Sequence, residues 1–155
     1  MRFEHYLRAI LDQAGREAGA EGAATVEAQH LLLAIASRTD TDAGQLLQSA
    51  GLDGAAIRAA LVLERERALL DAGVSPEAAR AAATAGATDP AGRLGTSVQH
   101  AIERGLDGVR EAPRPAHLLL GVLRAELGTV PRALELGGFD RADLLARVRR
   151  ALAQR

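Results

Sequence analysis

Apolar residues recur at helical spacing almost from the start of the chain. Leu7, Ile10, Leu11, Ala14 and Ala18 stand three and four residues apart, which predicts one apolar face of a first amphipathic helix. Leu31, Leu32, Leu33 and Ile35 follow with almost no polar interruption, the pattern of a short helix buried on most sides. No segment alternates apolar and polar residues over strand length, and β-branched residues are sparse. The pattern predicts an all-α protein.

The pattern also repeats. His30-Leu31-Leu32-Leu33 recurs as His117-Leu118-Leu119-Leu120, 87 residues later. The same offset, without gaps, pairs Leu47 with Leu134, Gly51 with Gly138, Asp53 with Asp140 and Ile57 with Leu144. Upstream it sets the amphipathic segment from Phe3 to Gly19 against the one around Val98 to Val109. The expectation is a duplicated four-helix repeat folded as one pseudo-two-fold helical domain over residues 1–155. Two units are too few for an open solenoid. The first repeat covers about 3–71 and the second about 93–153, with a longer helical connector over about 72–92.

Turn chemistry supports this division. Gly51 and Gly138 are placed to end helices in the left-handed conformation, and Asp53 and Asp140 to cap the helices that follow. Leu52 and Phe139 stand where they would staple onto Ile57 and Leu144. Asp42 and Thr129 are the predicted caps of a short helix in each repeat, with Pro131 in the first turn of the second. The helix from Asp53 is expected to run to Asp71 and stop at Gly73, and Ser75-Pro76-Glu77 to open another. The stretch from Ala85 to Gly92 reads as a loop and the connector as the most mobile part.

Composition narrows the chemistry. The chain has 155 residues, enough to bury a core without metals or disulfides, and its 19 basic and 20 acidic side chains leave a net charge of −1. That balance argues against nucleic-acid binding by bulk electrostatics. There is no Cys and no Lys, which excludes thiolate metal sites, a cysteine nucleophile, the P-loop lysine and Schiff-base chemistry. The charged N-terminus does not read as a signal peptide, and no stretch approaches the roughly 18 apolar residues of a membrane span. A cytoplasmic monomer with no metal or cofactor is expected. His5, His30, His100 and His117 are the obvious chemical candidates, yet none falls in a metal-binding or triad spacing. His30 and His117, each heading a leucine triplet, are expected to bond local backbone near a helix start. Arg147, Arg149, Arg150 and Arg155 make a basic C-terminal end whose simplest role is to offset a helix dipole.

At the doubled His-Leu-Leu-Leu units the sequence resembles the Clp N-terminal domain, the two-repeat helical module that precedes the ATPase rings of ClpA- and ClpC-type unfoldases. ClpC-type members carry a G-T-E-H-[IL]-L-L segment in each repeat. The corresponding stretches here are Glu27-Ala28-Gln29-His30-Leu31-Leu32-Leu33-Ala34-Ile35 and Pro115-Ala116-His117-Leu118-Leu119-Leu120-Gly121-Val122. Phe3 keeps the family's spacing to the first His. The resemblance runs from Phe3 to about Ala153 apart from the connector. It implies a substrate- and adaptor-docking module with no activity of its own, here reading as a free-standing domain without ATPase modules.

The departures lie at the family's ligand contacts. Where ClpC-type domains hold phosphoarginine with a Glu in each repeat, this chain has Gln29 and Ala116. The assisting Thr residues are replaced by Glu4 and Ala91, and the aromatic residue implicated in peptide-antibiotic binding by Pro90. Arg93 is retained. The implied binding positions are thus Phe3, Glu4, Tyr6, Gln29, His30, Arg93, Ala116 and His117, with a protein or peptide as partner (a Clp substrate, adaptor or Clp component). Recognition of phosphoarginine is not expected. Two other readings are a decoy that sequesters Clp-directed peptide antibiotics and, from a different class, a small helical nucleic-acid-binding regulator using the Arg-rich C-terminus. An enzyme is not expected.

Overall fold

The computed structural model describes residues 2–75, 77–78 and 92–154. They form eight helices: α1 (Phe3–Glu21), α2 (Ala28–Ser37), α3 (Asp42–Ser49), α4 (Gly54–Asp71), α5 (Thr96–Leu106), α6 (Pro115–Leu123), α7 (Thr129–Leu136) and α8 (Arg141–Ala153). No regular strand occurs among the described residues, and the all-α reading holds. No single described helix is long and apolar enough to cross a membrane.

The two leucine-rich helices lie at the centre. α2 packs against α1, α3, α4, α5, α6 and α7, and α6 touches α1, α2, α3, α5, α7 and α8. Leu31, Leu32, Ile35, Leu118, Leu119 and Leu123 are accordingly buried. Around this centre, α1 contributes Ile10, Ala14 and Ala18 as the periodicity predicts, with Leu7 and Leu11 half-buried beside them. α5 contributes Val98 and Ala101.

Helix ends follow turn chemistry with one correction. Gly51 and Gly138 have φ of 79° and 81°, and Leu52 and Phe139 donate back to the carbonyls of Leu47 and Leu134 at 2.8 and 2.9 Å. Asp53 and Asp140 cap α4 and α8 by accepting from Ala56 N and Asp143 N at 2.8 and 3.1 Å. The caps of α3 and α7, however, lie one residue earlier than predicted. Thr41 caps α3 through its hydroxyl, which accepts from Gly44 N at 3.1 Å, and Gly128 precedes α7. Asp42 is the first helical residue, and its carboxylate accepts both from Ala43 N and, across the molecule, from Ala116 N at 2.7 and 3.0 Å. α4 ends before Gly73 as expected, and Ser75 Oγ accepts from Ala78 N at 3.2 Å. The remaining expectations for the connector concern residues outside the described ones.

One short seam joins the chain on either side of the connector. Val26 N donates to Arg93 O and Gly95 N to Val26 O, both at 2.8 Å, forming a single parallel bridge between Val26 and Leu94. Beside it Ala28 N donates to Ser97 Oγ at 2.8 Å, and Ser97 Oγ donates in turn to the Glu27 carboxylate. That carboxylate lies over Gly95, where a Cβ would collide with it. The start of α2 is therefore fixed by residues at the start of α5.

Candidate functional site

The two histidines occupy equivalent places in their helices. Each is the third helical residue, and its Nδ1 accepts from the N–H of the residue before the helix: Glu27 N for His30 at 2.9 Å and Arg114 N for His117 at 2.8 Å. A Glu or Gln at this position commonly reaches back in the same way, so the imidazole replaces a capping-box side chain. Both rings thus bond local backbone, as the sequence suggests. The arrangement also sets the tautomer, because an accepting Nδ1 leaves the proton on Nε2.

The surroundings of the two rings differ. His30 is 1% exposed, and its Nε2 meets the Glu21 carboxylate, which also pairs with Arg65 of α4. The hydrogen bond from His30, more than any other influence, holds Glu21 below the usual carboxylate range. His117 is half-buried and lines a cavity of about 630 Å³ with Arg114, Leu120, Leu152 and Gln154. Burial first, and then the Arg114 guanidinium, lower its pKa.

These shifts fix a pH dependence. A histidine whose pKa is lowered on folding favours the folded state above its unfolded value, near 6.5, and that contribution is lost as pH falls below it. Glu21, also lowered, gives a contribution present above about 4.5 and lost on further acidification. Melting temperature is therefore expected to fall in two stages on acidification. His117→Gln keeps an acceptor for Arg114 N but does not titrate. It should flatten the first stage and leave the second. An unchanged first stage would assign that titration elsewhere.

The remaining predicted positions do not converge on one site. Phe3 is half-buried with its ring 6.0 Å from that of Tyr6, and Glu4 is exposed in the first turn of α1. Tyr6 is buried, its hydroxyl without a hydrogen-bond partner among the described residues, and burial together with the Asp42 charge raises its pKa. Arg93 is exposed and contributes its carbonyl to the seam. Ala116 is 0% exposed, with its N–H held by Asp42. Pro90 and Ala91 lie outside the described residues.

Gln29 opens onto a groove separate from the cavity beside His117. The groove, about 680 Å³, runs between the start of α2, one face of α5 and the loop from α6 to α7. Ser97, His100 and Arg104 line it from α5 at positions i, i+3 and i+7, which share a helical face. Arg124, Leu127 and Thr129 line it from the loop side. Sequence reasoning passed over Arg104, Arg124 and Leu127. The spacing of Ser97, His100 and Arg104 was a visible signal, but nothing in it identifies the loop that faces them.

Among the described residues no three His, Asp or Glu side chains gather as a metal site. Arg147 pairs with Asp143 at 2.9 Å, while Arg149 and Arg150 are exposed near the end of α8. A comparison with models of known protein families finds no match, and a comparison with curated proteins finds none either.

Proposed function

We propose that this chain is a non-catalytic protein- and peptide-binding module of the Clp N-terminal type, made of two repeats related by a pseudo-two-fold axis, and that it docks its partner in the groove beside Gln29. The observation that carries the reading is the doubled histidine device. His30 and His117, 87 residues apart, make the same Nδ1 bond to the N–H preceding a leucine-rich central helix. The glycine stops and aspartate caps recur at the same offset. The groove gives such a module an open surface with polar and apolar walls, the usual composition of a recognition site. The partner class is a Clp substrate, adaptor or Clp component.

The test is an NMR titration of the 15N-labelled chain with an unfolded polypeptide, dephosphorylated casein. Amide shifts concentrated at Gln29, His100, Arg104 and Thr129 are expected. Shifts confined to other faces, or none at saturating casein, would overturn the reading.

Phosphoarginine is expected to bind poorly. Gln29 offers an acceptor without charge, and Ala116 is enclosed, with the Asp42 carboxylate already on its N–H. A charge-assisted bond contributes roughly 1.5–3 kcal/mol, so losing one weakens a site by roughly 10- to 150-fold. Calorimetric titration with phosphoarginine should show no micromolar binding. Tight binding abolished by Gln29→Ala would mean that an uncharged amide suffices.

A further inference from the structure

The groove is electrically uneven. At one end two guanidinium groups brace each other's helices. Arg104 Nε donates to Gly121 O in the last turn of α6 at 3.2 Å, and Arg124 Nη1 donates to Arg104 O in the last turn of α5 at 3.3 Å. Each bond uses one of the five N–H groups of an arginine, and each fixes where the rest of the fork stands. At the other end is Glu27, whose carboxylate accepts from the hydroxyls of Thr25 and Ser97. Ser97 and Arg104 are seven positions apart along α5, about 10 Å at the helical rise. Leu127 stands on the rim with 90% of its surface exposed, a large apolar side chain that the fold does not use.

We propose that the groove takes an extended peptide segment with a single carboxylate seated between Arg104 and Arg124 and a large apolar side chain lying against Leu127. This rests on the peptide-binding reading above and adds to it a charge and a direction. A guanidinium pairs with a carboxylate through parallel N–H bonds, and two that are already positioned lose little freedom on binding. The opposite charges set the limit. Glu27 and Glu126 face the same groove as Arg104 and Arg124, so the four formal charges cancel. A lone carboxylate placed at the arginine end gains from its neighbours. A run of acidic residues long enough to reach the Ser97 end of the groove meets Glu27 as well and gains less.

The experiment uses three blocked seven-residue peptides built of Ala and Ser around one Leu, identical except for Glu, Gln or Lys at a single position. Each is titrated into the 15N-labelled chain. The Glu peptide is expected to bind about tenfold more tightly than the Gln peptide, and the Lys peptide more weakly than either. Arg124→Gln, checked by its melting curve because Arg124 also donates to Arg104 O, should bring the Glu and Gln peptides to nearly equal affinity. Arg104→Gln, checked by its melting curve, should do the same. Equal affinity for the Glu and Gln peptides with shifts in the groove would overturn the charge assignment and leave the binding module standing. So would a Glu preference that survives both substitutions. No shift in the groove with any of the three peptides would overturn the assignment together with the reading beneath it.

Discussion

Gly121→Ala is expected to destabilise the protein, and Gly121→Val to do so by about 3 kcal/mol or more. The sign is informative because intrinsic propensity points the other way. Within a helix, alanine is favoured over glycine by about 1 kcal/mol, so an exposed glycine in α6 would be improved by the change. Gly121 is buried at the crossing of α5 and α6, and a Cβ there would collide with the carbonyl oxygen of Ala101 and the backbone nitrogen of Gly105. From the other side, a Cβ on Gly105 would run into the carbonyl of His117. These are backbone atoms and cannot step aside as a side-chain tip does. The helices must separate along their whole contact, which also loosens Val98 and Leu118. Urea and thermal denaturation of the two variants measure the effect. An Ala variant as stable as the parent would mean that the crossing is wider than described.

The second large effect is expected at the central leucines. Leu32→Ala and Leu119→Ala should each cost roughly 2–5 kcal/mol, since both side chains are buried and their removal leaves cavities that neighbouring helices close only in part. Because α2 and α6 pack on one another, the double variant need not equal the sum of the two. Denaturation curves of the three proteins give the costs and the coupling. Unchanged melting temperatures in both single variants would contradict the central placement of α2 and α6.

The helices were legible in the sequence because each depends on local pattern. The apolar spacing of α1, the leucine runs of α2 and α6, and the glycine stops at Gly51 and Gly138 need no knowledge of the rest of the chain. The displaced caps show where this fails. Asp42 is a good cap by type, but its carboxylate is engaged with Ala116 N on another helix, and Thr41 takes the capping role. The seam was invisible for a related reason. A bridge of one residue with one, Val26 with Leu94, has no periodicity to detect. The candidate site was only partly legible because neighbours in sequence are not neighbours on a helix. Gln29 and His30 are adjacent, yet at 3.6 residues per turn their side chains diverge by about 100°. One looks into the groove, while the other is buried against Glu21.

The parallel bridge at Val26 also ties the two halves of the described chain together across the connector. With Arg93 and Gly95 pinned to Val26, the point from which α5 sets out is fixed by a residue nearly seventy positions earlier in the chain, so a change at Val26 reaches the second half of the molecule directly.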